Sequence, residues 1–409
     1  MSQDNAYNGS LLTLYAGRFI STAGDKLYIV ALTFILARHQ AYDLTWLWMI
    51  GLIAPLIMQW FTGSLADRLG AKRTAVIGEL LCAVATGMMP LVLHSNWLFV
   101  LVFVNAAAGT FFMSASQPMV SSLTTDTNRH QVNSIMSTVN ASATFIGPLL
   151  GGWLTLQSVS LPFVAQGASF LFSALTIALL PLPLPKQEDV TAKGKGMRVF
   201  WADVRMGLGY LRKNAVMRNL IWMTSLLNFG TGAISAYEAL FLTRAVHLGA
   251  SGYGIVVAVN GLGMVVAGMI NARYARRWKP IVLVPIGALV LLVGFIPYAF
   301  STSLIMVGVS VLIVSMGLIS LITAVRTVRQ NTVPLEIQGR VISLQMILPT
   351  LTAGLSVLVG GALLPILPIR TIIIGAVAIL FLCIPVALNI FRLASLPSDS
   401  QTKTVAEVS

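Results

Sequence analysis

Gly63-Ser64-Leu65-Ala66-Asp67-Arg68-Leu69-Gly70-Ala71-Lys72-Arg73 joins two apolar runs, residues 44–65 and 74–93. Glycines at both ends of the segment permit a tight turn and close approach of the flanking helices. Asp67 can cap a helix N-terminus or pair with a base across the same face of the molecule. Each flanking run is about 20 residues long, enough to cross a hydrocarbon layer of about 30 Å. The segment therefore reads as the short polar loop between two membrane spans.

Working outward, the same alternation of apolar run and polar break continues through the chain. Of 409 residues, 56% are hydrophobic and only 10% are charged, and the mean hydropathy is +0.85. A water-facing surface needs roughly 25% charged residues, so a string of soluble domains is excluded. Twelve spans are expected, at about 11–37, 44–65, 74–93, 97–118, 131–156, 161–183, 219–244, 252–275, 280–299, 303–326, 341–366 and 369–392. Barrel strands would alternate over about ten residues, and these runs do not. The expected fold class is an all-α membrane protein.

The net charge of +13 comes from bases placed in alternate loops, so it argues topology and not nucleic acid. With the N-terminus in the cytoplasm, inner loops and tail hold 21 of the 26 Lys and Arg, whereas outer loops hold Arg38, Arg244 and Arg370. The positive-inside rule then puts both termini in the cytoplasm of a multi-pass plasma-membrane protein. Met1 to Ser10 has no basic n-region, so no cleavable signal is expected. The two cysteines, Cys82 and Cys383, lie in apolar runs and read as packing residues.

The longest loop begins PLPLPKQEDVTAKGKG and turns amphipathic at MRVFWADVRMGLGYLRKN, where Val199, Phe200, Val204, Leu208 and Leu211 can share a face. It divides the chain into an N-terminal six-helix half, 1–183, a cytoplasmic linker, 184–218, a C-terminal six-helix half, 219–393, and a cytoplasmic tail, 394–409. The halves share a pattern: Val132, Ser134, Gly151 and Gly152 recur as Val341, Ser343, Gly360 and Gly361. Such duplicated halves around a central cavity are a transporter architecture.

The Gly63–Arg73 segment resembles the signature loop of the major facilitator superfamily. That resemblance implies twelve transmembrane helices in two pseudo-symmetric halves, with gating roles for Gly63, Asp67, Arg68, Gly70 and Arg73. Gly147-Pro148-Leu149-Leu150-Gly151-Gly152 resembles the core of the family's antiporter motif, with Ser134 and Ala143 standing where upstream glycines are usual. It implies that Gly147, Pro148, Gly151 and Gly152 take part in gating. Arg18 to Asp25 and Gly339-Arg340-Val341-Ile342-Ser343 resemble the drug- and macrolide-efflux branch, which adds Arg340 to the gating set. Asn105 stands where proton-coupled relatives often carry arginine, so that coupling role does not carry over.

Ionisable groups inside a span cost about 2.5–3.5 kcal/mol at mid-helix and call for a reason. Arg18, Ser21, Thr22, Asp25 and Tyr28 share one face of the first span; Asn228, Thr231, Ser235 and Glu238 share one of the seventh; Asn140 lies on a third such stripe. Asp25 and Glu238 are the proton-coupling candidates, since a carboxyl in a partly dry cavity can exchange protons. A structural reading stands beside each: Asp25 paired with Lys26 or a neighbouring helix, and Glu238 at a wet end beside Arg244. Arg18, Ser21, Thr22, Tyr28, Asn105, Asn140, Asn228 and Ser235 are the substrate-cavity candidates. Trp48, Phe112, Met113, Trp222 and Met223 are available for an apolar wall, and Glu79 reads as structural.

No Walker loop, zinc-protease motif or plausible metal cluster occurs, so neither an enzyme nor a cofactor is expected. The expected function is a monomeric secondary transporter that exports small amphipathic molecules in exchange for protons. A specialised exporter of a siderophore or lysolipid, and a passive flippase, are the alternatives. Expected partners are the small-molecule substrate, protons and membrane lipid.

Overall fold

The computed structural model describes residues 2–39, 41–122, 129–179, 205, 208–274, 279–333 and 335–395. The side chains of 59–68 and 335–340 lie outside what is described. So do Val199, Phe200 and Val204 of the expected amphipathic segment.

Thirteen α-helices are present among the described elements. They are α1 Ser2–His39, α2 Ala41–Leu69, α3 Ala71–Met88, α4 Trp97–Ser122, α5 Arg129–Gln157, α6 Leu161–Leu179 and α7 Ala215–Arg244. There follow α8 Ala250–Tyr274, α9 Pro280–Ala299, α10 Leu304–Thr332, α11 Leu335–Leu363, α12 Ile369–Leu380 and α13 Cys383–Ser395. No strand occurs among the described residues.

Among the described residues, eight stretches are long and apolar enough to cross a membrane: 15–37, 71–92, 161–179, 250–271, 280–299, 304–332, 344–363 and 369–393. The fifth and seventh expected spans fold as α5 and α7, of 29 and 30 residues. Their polar stripes lower their hydropathy without breaking the helix. The second and fourth are represented by shorter apolar stretches, 43–58 and 97–113. The twelfth expected span is two helices, α12 and α13, separated at Phe381 and Leu382.

The polar loop within Gly63–Arg73 is shorter than its sequence suggests. Helix α2 runs on to Leu69 and α3 begins at Ala71, so a single residue makes the turn. That residue is Gly70, with φ of 83°, a left-handed conformation that only glycine adopts freely. Its carbonyl accepts from Thr74 N at 3.1 Å and from Thr74 Oγ1 at 3.0 Å.

The chain divides into two compact units, Met1–Glu188 with Leu242–Gly261, and Asp189–Phe241 with Leu262–Ser409. In the first, α5 lies directly on α1. A Cβ on Gly151 would stand 2.5 Å from the Leu27 carbonyl oxygen, and one on Gly147 would overlap the Ala23 carbonyl. Close backbone approach through small residues is the usual device of membrane helix packing, where apolar burial gives little driving force. The equivalent pair in the second unit is α7 against α11. There a Cβ on Gly232 would stand 2.8 Å from the Ala353 carbonyl oxygen, and one on Gly360 would meet the Tyr237 ring at 2.7 Å. Tyr237 Oη donates to the Val357 carbonyl at 2.7 Å and locks that crossing.

Helix ends in the second unit are tied by polar caps. Ser303 precedes α10 and its hydroxyl accepts from Met306 N at 3.3 Å. Arg370, one of the few bases expected in an outer loop, donates to the Ser301 carbonyl at 2.9 Å beyond the end of α9 and covers the Phe241 ring at 5.7 Å.

Candidate functional site

The polar stripe of α1 faces a cavity of about 640 Å³ inside the first unit. Arg18, Ser21, Thr22, Asp25 and Lys26 supply one wall, and Asn105, Thr110 and Phe112 of α4 supply another. Helix periodicity explains the stripe, because residues three and four apart on α1 emerge on one side. Five of the expected site residues, Arg18, Ser21, Thr22, Asp25 and Asn105, therefore meet in one place.

Asp25 is exposed to the cavity. Its Oδ1 accepts a hydrogen bond from Gln166 Nε2 on α6 at 2.7 Å. Gln166 is fully buried, and its own Oε1 accepts from Ser169 Oγ at 3.1 Å. The neighbouring-helix reading of Asp25 thus has a definite partner, and Lys26 and Arg18 add positive charge within electrostatic reach.

Arg18 is held on three sides. Its Nε donates to Asn140 Oδ1 at 3.2 Å, its Nη2 lies 3.9 Å from Met113 Sδ, and its guanidinium sits 5.2 Å from the Phe112 ring centroid. Cation–π contact of this kind fixes a planar guanidinium while leaving its edge available. Asn140 therefore acts as the support of Arg18 from α5.

Glu79 on α3 also lines the cavity, and is 1% exposed. Its Oε1 accepts from Ser173 Oγ at 2.8 Å and from Ser21 Oγ at 3.4 Å, so it bridges α1, α3 and α6. Asn105 Oδ1 accepts from Thr86 Oγ1 at 3.2 Å. Tyr28 is 5% exposed and meets Phe163 edge-on at 5.9 Å. It belongs to the packing behind the site.

Sequence reasoning missed Gln166, Ser169 and Ser173. A signal existed: Gln166, Ser169, Ser173 and Thr176 recur at helical spacing along α6, and all four are buried. Gln166 and Ser173 reach the acids of α1 and α3, while Ser169 bonds Gln166 and Thr176 bonds the Ser173 carbonyl.

Of the expected apolar wall, Phe112 and Met113 line the cavity, joined by Phe170 and Pro55. Met223 is fully buried in the second unit, where its carbonyl faces Cys383 Sγ at 3.9 Å, and Trp222 is 62% exposed. Neither belongs to this wall.

Asn228, Ser235 and Glu238 lie on α7 in the second unit. Asn228 Nδ2 donates to the Thr224 carbonyl of its own helix at 2.9 Å, and Ser235 is exposed. Half-buried Glu238 accepts from Tyr298 Oη at 3.5 Å. Among the expected gating residues, Gly63, Asp67 and Arg68 fall in the last turns of α2 and Arg340 in the first turns of α11. The side chains of Asp67, Arg68 and Arg340 lie outside the described residues, and Arg73 is exposed. Gly152 packs beneath the first turn of α8, where a Cβ would stand 2.9 Å from the Ala250 carbonyl oxygen. The Pro148 carbonyl meets Gly254 in the same seam.

A family model described as Major Facilitator Superfamily matches residues 14–357. The uncharacterized MFS-type transporter YfiS of Bacillus subtilis (strain 168) is 25% identical over 86% of this chain and 86% of its own length. The multidrug efflux pump Tap of Mycolicibacterium fortuitum is 24% identical, over 88% of this chain and 90% of its own. Among solved structures, that of the nucleoside transporter NupG superposes with a TM-score of 0.74 at 12% identity, covering 95% of this chain and all of that one. At that identity the likeness concerns the fold alone.

Proposed function

Because the chain belongs to the Major Facilitator Superfamily, we propose that it exports small amphipathic molecules, multidrug or macrolide-like, in exchange for protons. It is a transporter and not an enzyme. The observation that carries the proposal is Asp25, a carboxylate exposed to a cavity that also holds Arg18, Lys26 and Glu79 and whose apolar lining includes Phe112, Met113 and Phe170. A chamber that joins an apolar wall to an accessible acid suits a substrate that is mostly hydrophobic and carries a positive group. Such a cation and a proton compete for the same carboxylate, and competition at one site is the simplest basis for exchange. The name of the Tap relative as a multidrug efflux pump agrees with this reading.

In this reading the halves 1–183 and 219–393 take turns exposing the cavity to each side of the plasma membrane, with both termini cytoplasmic. Glu238 is the second coupling candidate. Gly63, Asp67, Arg68, Gly70, Arg73 and Arg340 act at the cytoplasmic latch, and Gly147, Pro148, Gly151 and Gly152 act at the crossings of α5.

Arg18 favours a second reading. A guanidinium braced by Asn140 and Phe112 inside the cavity can take an anionic group, which suits a specialised exporter of a siderophore-like or lysolipid-like molecule.

The test uses purified protein in liposomes with an imposed pH gradient, following a cationic dye and an anionic siderophore-like probe. Dye moves with the gradient, and Asp25→Asn stops it. Anion movement without dye movement supports the second reading, and movement of either probe without a gradient points to passive flipping.

A further inference from the structure

Glu79 is buried to 1% exposure in the wall that Asp25 shares. The two carboxylate oxygens differ. Oε1 takes both serine hydroxyls, Ser173 at 2.8 Å and Ser21 at 3.4 Å, whereas Oε2 is buried and has no hydrogen-bond partner. A purely structural tie between α1, α3 and α6 uses Oε1 alone, and a glutamine would make it equally well. An ionised carboxylate carries a large desolvation cost when half of its acceptor capacity is unmatched in a dry site. A proton on Oε2 removes that charge and keeps both serine hydrogen bonds.

The surroundings limit what else could neutralise Glu79. Helix α1 presents Arg18, Asp25, Lys26 and Tyr28, and α3 itself presents Cys82. The cavity residues of α2, α4 and α6, Pro55, Asn105, Thr110 and Phe170 among them, carry no charge. Arg18 is within electrostatic reach of both acids, yet its guanidinium hydrogen-bonds Asn140 and Met113.

We propose that Glu79 is a second proton-carrying carboxyl of this cavity, distinct from Asp25, binding a proton at Oε2 and returning it to the cavity water. An O–H bond forms on loading and breaks on release, with no change of oxidation state. With both acids ionised the cavity charges of Arg18, Lys26, Asp25 and Glu79 balance, and each proton adds one positive charge. The site thereby passes from accepting a cation to expelling it. This deepens the proton-exchange reading of Asp25 and rests on it.

The test needs no substrate. Purified full-length protein in a hydrated lipid film is stepped between about pH 5 and 9, the range in which shifted carboxyls titrate, while infrared difference spectra record the carbonyl stretch of protonated carboxyls. Wild type, Glu79→Gln, Glu79→Asp and Asp25→Asn are compared. Glu79→Gln loses one pH-dependent component, Glu79→Asp retains it at a displaced frequency, and Asp25→Asn loses a different one. A Glu79→Gln spectrum identical to wild type overturns the proposal. If Glu79→Gln does not fold, a Glu79→Asp spectrum unchanged in frequency and midpoint overturns it instead. Loss of a component in Glu79→Gln with no change in Asp25→Asn sinks the Asp25 reading and leaves Glu79 as the titrating acid.

Discussion

Gln166 donates its side-chain amide to Asp25 at 2.7 Å, and Gly24 is what lets it come so close. A Cβ on Gly24 would overlap both Gln166 Oε1 and Ser169 Oγ. The packing of α1 on α6 and the setting of the cavity acid are therefore one feature. Gln166→Leu keeps roughly the same volume and removes the donor. It is expected to destabilise the protein by about 1.5–3 kcal/mol, the usual worth of a hydrogen bond to a charged group. It also changes the pH dependence of dye exchange, and thermal unfolding in detergent with liposome flux measures the two effects.

Glycines at helix crossings differ from glycines in open space. Gly151→Ala forces α5 away from Leu27 and is expected to cost about 1–3 kcal/mol, as overpacking does. Gly375→Ala on α12, where a Cβ meets nothing within 4 Å, is expected to gain about 0.4–1 kcal/mol through the unfolded state. Melting temperatures of the two variants, moving in opposite directions, check both.

At the turn between α2 and α3 the backbone decides. Gly70→Ala puts a side chain on a residue at φ of 83° and is expected to cost about 1–2 kcal/mol. Gly70→Asn costs about as much, because ψ of 149° places the residue outside the αL well that asparagine tolerates. Equal stability for all three proteins contradicts the one-residue turn.

The two cysteines report on the cavity directly. Cys82 lines it, and Cys383 is buried near Met223. A small membrane-permeant thiol reagent is expected to modify Cys82 ahead of Cys383, and a transported dye is expected to slow that reaction. Peptide mass spectrometry measures both. Faster labelling of Cys383 contradicts access to Cys82 through the cavity.

The α1 stripe was legible because helix geometry alone puts Arg18, Ser21, Thr22 and Asp25 on one face, and a buried span tolerates such residues only where something polar receives them. Gln166 was missed because an uncharged amide in an apolar run carries no comparable cost on its own. Glu79 reads from sequence as structural, and its hydrogen bonds to Ser21 and Ser173 agree with that much. The unmatched Oε2 is a fact of tertiary packing that no spacing reveals. Helix ends were less legible than helix centres. The break of the twelfth span at Phe381 and Leu382 follows from Pro385, which has no N–H to give the Phe381 carbonyl, and the run's continuous apolarity masks that signal.

What the sequence determined by itself was the class of molecule. A chain with so few charges, broken at regular intervals by short basic loops, must satisfy its backbone inside helices that cross lipid. The Gly63–Arg73 segment narrowed that class to one family. Tertiary structure decided which polar residues act together. Asp25, Glu79 and Gln166 stand on three helices up to 141 residues apart in sequence, and only close packing brings the two acids to one cavity with Gln166 behind Asp25. Glu238, equal to Asp25 as a candidate when read from sequence, meets Tyr298 instead. The physical reason is that periodicity fixes the face on which a side chain leaves its own helix. What that face meets depends on small residues such as Gly24 and Gly151, which set how closely the neighbouring helix can approach.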